Sequence, residues 1–196
     1  MTEIGKKTSQ GRGSERKAEL IKGVIRLLAK SGTLGVTHRA VADEAGAAHG
    51  STRYYFSTRD DMLLAALQEL VSHQISGIEK LFSKYEKNAS HEFWPALAKF
   101  LNNRLESERD NELARYELFL AAARNAKLQL LLEEWATAYV SLFESRLEES
   151  ERQVSPSLAV LFLNLLNGLA LSQLAAPVDG FEKNVLLPAI LRFMDT

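Results

Sequence analysis

The sequence predicts an all-α protein. Three observations predict it. Apolar residues recur three and four positions apart through almost every segment after Ser14, start and stop signals of helices bracket those segments, and no useful length shows the strict alternation of a strand. With 196 residues, 46% hydrophobic and 25% charged, the chain has the composition of a soluble globular protein of one large domain or two small ones. No internal repeat or low-complexity tract interrupts it.

The elements follow in order. Residues 1–13 are polar with almost nothing to bury and predict a flexible basic arm, whose Lys6, Lys7 and Arg12 suit a phosphate backbone or plain solvent. The absence of an apolar core in this stretch argues against a secretory signal. A first helix is expected from Ser14 as N-cap, with Ile21, Val24, Ile25 and Leu28 on its inner face and Gly32 as its stop. Thr37 caps a second helix with the stripe Val41, Ala42, Ala45, and Gly46 ends it. A third, very short helix covers about 48–55. Thr58 with Asp61 forms an acidic capping box for a fourth, which carries Met62, Leu63, Ala66, Leu67 and Leu70 toward about 86, with Gly77 as a possible break. Further helices are expected near 91–108, 110–124, 127–150, 157–175 and 180–194. Pro156 starts one of them, Asp179 and Glu182 cap the last, and Pro188 kinks it.

These elements divide the chain into the arm 1–13, a helix-turn-helix unit 14–60 and a helical body 61–196. Charge divides it the same way. Residues 1–60 carry 11 Lys/Arg against 6 Asp/Glu, while the remainder is acidic, so that the whole comes to a net −1. A basic first third on an acidic body suits a polyanionic partner for that third alone.

The third helix can be placed on a wheel. His49, Gly50, Arg53 and Tyr54 share one arc, and Thr52 and Phe56 point toward the first two helices. The outer arc holds donors, a cation and a ring around a glycine that allows close approach. Those are the parts of a major-groove reader. The same residues also suit a plain exposed face, with Tyr55 as a rim aromatic of the core.

The stretch "VTHRAVADEAGAAHGSTRYYFSTRDDML" (36–63) resembles the DNA-binding region of the TetR family of bacterial transcription regulators. Thr37, Arg39, Val41-Ala42, Ala45-Gly46, Gly50-Ser51, Tyr55-Phe56 and Leu63 carry the resemblance, which is specific over about 14–65. It implies a homodimer that binds a double-stranded DNA operator, is usually a repressor, and is released when a small-molecule effector enters the C-terminal domain and moves the fourth helix. By position it gives Thr37 and Arg39 to the DNA contacts and implies backbone or base-edge contacts for Ser51, Tyr55 and Arg59. Three residues depart from the pattern: Ala48 where Ser often caps, Ala47 where Val is common, and Arg53 in place of a frequent Tyr.

In the body, aromatics and isolated polar groups on apolar faces mark a candidate effector pocket: Trp94, Phe100, Phe119, Trp135, Tyr139, Phe162, Asn164 and Asn167. Each also fits a packed core, and the two amides fit a dimer axis equally well. The last two helices are apolar nearly all round and are expected to pair between two copies, or to pack within one. The stretch 158–176 is leucine-rich, but Asn164, Asn167, Ser172 and Gln173 favour a buried or interface helix over a membrane span.

Other classes fare badly. The chain has no Cys, which excludes disulfides and thiolate chemistry and suits a reducing cytoplasm. His38, His49, His73 and His91 have no metal-ligand spacing, and no strand-led glycine loop exists for a nucleotide. No catalytic set, metal or cofactor is expected. A helical protein-interaction module without DNA binding, and an activator rather than a repressor, are the competing readings.

Overall fold

A computed structural model describes residues 9–85, 90–148 and 156–194, and all regular structure among them is helical. The order is α1 (Ser9–Ser31), a 3₁₀ turn (Thr33–Gly35), α2 (His38–Glu44), α3 (His49–Tyr55), α4 (Arg59–Phe82), α5 (Ser90–Ser107), α6 (Arg109–Ala122), α7 (Ala126–Glu148), α8 (Pro156–Ala175), a π-helical turn (Glu182–Leu186) and α9 (Leu187–Met194). The expected start at Ser14 is therefore corrected to Ser9. Residues 9–13 belong to the helix, and Lys6 and Lys7 lie outside the described residues. Two glycines, Gly11 and Gly13, mimic a boundary by their low propensity. The helix nevertheless continues through them, and at Gly13 it passes beside the Tyr55 hydroxyl of α3.

Helices α1 to α3 form the head. Glycine ends the first two, at positive φ: 63° at Gly32 and 59° at Gly46. At Gly46 the ending is a Schellman motif, in which Ala47 N–H donates to Ala42 O (2.8 Å) and Gly46 N–H to Asp43 O (3.2 Å). Leu20, Val24, Leu28, Val36, Val41, Phe56, Met62 and Leu63 are buried together, so the start of α4 belongs to the head's core. Arg26 and Lys30 of α1 grip Glu44 at the end of α2 (Arg26 Nε to Oε1 2.7 Å, Lys30 Nζ to Oε2 3.1 Å), and these bonds hold the Glu44 carboxyl below its ordinary pKa.

Helix α4 runs unbroken through Gly77. That glycine admits a neighbour: a Cβ there would lie 2.9 Å from Cζ of Phe100 on α5. In the body, Phe82, Phe93, Trp94, Phe143 and Phe162 form an edge-to-face aromatic core with centroids 4.8 to 5.9 Å apart, and Phe193 packs on Phe162 at a tilt (5.0 Å). Near the C-terminus, the expected capping by Asp179 and Glu182 is not formed. Gly180 turns the chain at φ 67°, and the helix begins at Phe181 without a side-chain cap. The Pro188 effect takes the form of the π-turn before it, where Leu187 N–H reaches back to Glu182 O.

Helix α6 joins the two parts. It packs along α1, where Glu117 lies over Gly32, and it is tied to α8 by Tyr116 Oη donating to Asn167 O (2.7 Å) and Arg109 Nη2 to Leu174 O (2.9 Å).

Candidate functional site

The head presents α3 outward. Thr37 caps α2 by accepting from Ala40 N–H (3.1 Å), and the Thr58 box closes on both sides: Asp61 N–H to Thr58 Oγ1 3.1 Å, Thr58 N–H to Asp61 Oδ2 2.8 Å. Those bonds also lower the Asp61 pKa. Thr52, fully buried, donates between His38 O (3.0 Å) and His49 O (3.1 Å), so it fastens the reading helix to α2. Sequence reasoning assigned Thr52 inward but did not see this clasp; a hydroxyl at an inward helix position is the signal for it.

The expected arc is one exposed face. His49, Gly50, Arg53 and Tyr54 are exposed, Tyr54 to 83%, while Thr52 and Phe56 are buried. A Cβ on Gly50 would meet nothing within 4 Å, so that glycine leaves open room and does not serve packing. Arg53 makes no hydrogen bond or ion pair with the described residues. Asp43 lies 3.8 Å from Arg39 Nε and 3.7 Å from His49 Nε2, which gathers both toward that face. Ser51 is half-buried at its flank. Two expected contacts sit differently. Tyr55 is half-buried, packed edge-on to Tyr54 (4.9 Å) and toward α1, and Arg59 spends its guanidinium on the carbonyls of Val36 (3.1 Å) and Thr33.

A second site opens in the body, a cavity of about 180 Å³ between α4, α5, α6, α7 and α8. Of the expected pocket residues, Phe119, Trp135, Tyr139, Asn164 and Asn167 line it. Trp94, Phe100 and Phe162 do not. Trp94 and Phe162 are packed edge-to-face in the aromatic core (5.9 Å apart), and Phe100 is seated on Gly77. The wall adds groups the sequence reading missed: Gln74 of α4, Arg104 of α5, and Glu112 and Arg115 of α6.

Those charges are buried, with Arg104 7%, Glu112 4% and Arg115 2% exposed. Glu112 accepts from both arginines: Arg104 Nη2 on one oxygen, Arg115 Nε (3.0 Å) and Nη2 (2.9 Å) on the other. Arg115 also donates to Asn167 Oδ1 (3.2 Å) and lies over the Tyr116 ring, 4.2 Å from its centroid. Burial works against the Arg115 charge, yet the Glu112 carboxylate and Tyr116 outweigh it and raise its pKa. Burial pushes the Tyr139 phenol well above its ordinary range, against the pull of Arg104 and Arg115, so it stays protonated.

An exposed helix-turn-helix face on a basic head, joined by shared helices to a helical body, is the architecture of a helix-turn-helix class of DNA-binding regulator. The sequence pattern of the tetracyclin repressor-like C-terminal domain matches residues 88–196, and that of the bacterial regulatory proteins of the tetR family matches residues 20–66. The chain belongs to the TetR family of transcriptional regulators, and it is a DNA-binding protein and not an enzyme. It is similar over nearly its whole length to the HTH-type transcriptional regulator YfiR of Bacillus subtilis (strain 168), 24% identical over 92% of this chain and 93% of that one. The nicotine-responsive transcriptional repressor HdnoR of Paenarthrobacter nicotinovorans is 21% identical over 92% and 95% of the two chains. Among solved structures, the multidrug binding protein EbrR complexed with ethidium shares 28% identity over 91% of this chain and 98% of that one, with a TM-score of 0.71.

Proposed function

We propose that the chain is a cytoplasmic repressor that binds its operator as a homodimer and releases it when a small apolar or amphipathic effector fills the body cavity. The observation that carries this reading is the sharing of helices. The cavity wall takes Gln74 and Ile78 from the far half of α4, while Met62 and Leu63 at its near end lie in the head's core. A continuous helix of 24 residues is a lever of about 36 Å. Helix α6 contributes Glu112, Arg115 and Phe119 to the wall and packs on α1. A ligand that shifts either helix therefore shifts the head.

On the DNA side, His49, Gly50, Arg53 and Tyr54 are the groove-facing set. Thr37, Arg39 and Ser51 stand at its flanks to meet phosphates, and Tyr55 and Arg59 brace the loop ends beside them. On the dimer side, α8 leaves Val160, Leu161 and Leu171 exposed to 44, 58 and 49%, and α9 leaves Leu191 exposed to 40%. Helix α8 is long and apolar enough to cross a membrane, and most of it is left unburied within one copy. A second copy covers the same apolar face while keeping the polar residues of α8 in use. The relatives support the ligand side: one is nicotine-responsive, and another binds ethidium.

Selection of genomic DNA fragments with the purified chain tests the reading. It is expected to return a site of two symmetric half-sites, bound with an affinity that falls steeply with salt. A chain that sediments as a monomer at micromolar concentration, or that selects no site, sinks it. Placement of the selected site over a promoter supports repression; placement upstream of it supports activation.

A further inference from the structure

The cavity's charges do not balance. Arg104 and Arg115 face a single carboxylate, Glu112, and no other ionised side chain among the described residues lines the wall, so one positive charge is left over there. Its location can be followed bond by bond. Both Glu112 oxygens are taken, and Arg115 is further held by Asn167 and the Tyr116 ring. Arg104 is the deficient partner: its Nε and Nη1 are buried with no acceptor. Two more buried donors on the same wall lack acceptors, the Trp135 indole N–H and the Tyr139 hydroxyl, on residues only 7% and 6% exposed. Their rings lie 4.9 Å apart. Against these four donor atoms the buried side chains of the wall offer as unpartnered acceptors only Gln74 Oε1 and the Tyr139 oxygen itself.

An uncompensated buried cation with unfilled donors is costly, and a group that brings both acceptors and negative charge relieves it. We propose that the effector of this protein is an organic monoanion, a carboxylate on an apolar frame of one or two rings, whose headgroup is received by Arg104, Tyr139 and Trp135. This rests on the cavity's being the effector site. The charge count selects one negative charge, because a dianion would overcompensate. The size follows from volume. A cavity of about 150 Å³ holds a benzene ring, and this one is slightly larger, with apolar walls such as Ile78, Leu132 and Val140. A cationic ligand would add to the surplus, and a neutral one would leave it.

Calorimetric titration of the full-length protein with three probes of one shape tests the proposal: 2-naphthoate, 2-naphthamide and 2-naphthylmethylammonium. The carboxylate is expected to bind about tenfold or more tighter than the amide, and the ammonium weakest. Arg104→Gln is expected to remove that preference, bringing the carboxylate down to the affinity of the amide. Tyr139→Phe, which keeps the ring, is expected to weaken the carboxylate about threefold; it decides the matter together with the wild-type ratio if Arg104→Gln fails to fold. Equal or tighter binding of the amide or the ammonium overturns the anion assignment and leaves the cavity as an effector site. Binding of none of the three overturns both.

Discussion

The head and the body solve the same problem, holding charged groups on helices, in opposite ways. In the head, Arg26 and Lys30 meet Glu44 at the edge of the structure, with side chains 38, 58 and 20% exposed, and water completes whatever the pair leaves. Thr52, Thr37 and the Thr58–Asp61 box each have their bonds made. In the body, Arg104, Glu112 and Arg115 are closed off from water, and one of them is left short of acceptors. The head is therefore nearly finished before it meets DNA, with His38 Nδ1 its one buried side-chain polar atom without a partner among the described residues, and its contact face can be rigid. The body is less finished, with unpartnered atoms on Gln74, Arg104, Trp135 and Tyr139, which suits the proposed effector site. Preorganised surfaces bind without an ordering cost, whereas an under-satisfied cavity gains most from the right occupant.

The sharpest way to break this comparison is to remove one carboxylate from each region. Glu112→Ala leaves two buried guanidinium groups with no counter-ion and is expected to cost about 3–5 kcal/mol of stability. Glu44→Ala, at the rim, is expected to cost about 1 kcal/mol or less. Urea unfolding midpoints of the two variants measure both. Equal losses would mean that the body cluster is no more closed to solvent than the head's rim.

Arg53 sharpens the other half of the contrast, because it is an exposed cation of α3 with no hydrogen bond or ion pair among the described residues. Arg53→Ala is expected to weaken operator binding by about 1–3 kcal/mol. Measured across operators that vary one base pair at a time, a loss confined to one position marks Arg53 as a base reader. A uniform loss with a shallower salt dependence marks a phosphate clamp. Unchanged binding to every variant removes it from the interface.

The two regions also differed in how far they could be read from sequence, and for a physical reason. The head's signals are local. Thr37, Thr58 with Asp61, Gly32 and Gly46 act within four residues of themselves, and the arc of α3 belongs to a single helix. The cavity's charges come from two helices and act across space. In "RLESERDNELARYELF" (104–119) Arg104, Glu112 and Arg115 look like a solvated polar face. The available clue was register: Glu112, Arg115, Phe119 and Ala122 fall on one helical stripe, so two charges occupied positions where core is expected. Aromatic type carried little information, since Trp135 and Phe119 line the cavity while Trp94 and Phe162, of the same kinds, fill the core. A local rule also failed at Asp179, where Gly180 at positive φ and the missing N–H of Pro188 determined how the helix begins.

The smallest expected effect is a pH dependence confined to the head. Hydrogen bonds from Arg26 and then Lys30 depress the folded-state pKa of Glu44 below 4.5. A depressed carboxylate contributes stability that is complete above the unfolded value and is lost as pH falls through the folded one. The window therefore lies below about pH 4.5 and leaves neutral pH untouched. Because the cations are well exposed, the contribution is a few tenths of a kcal/mol and shrinks in high salt. Other carboxylates titrate in the same range, so the informative quantity is the difference between wild type and Glu44→Gln in urea midpoint, followed from pH 6 to pH 3. That difference should close as the pH drops, and close at every pH in molar salt. A gap that persists at pH 3 would show that Glu44 holds α1 to α2 by shape and hydrogen bonding and owes little to its charge.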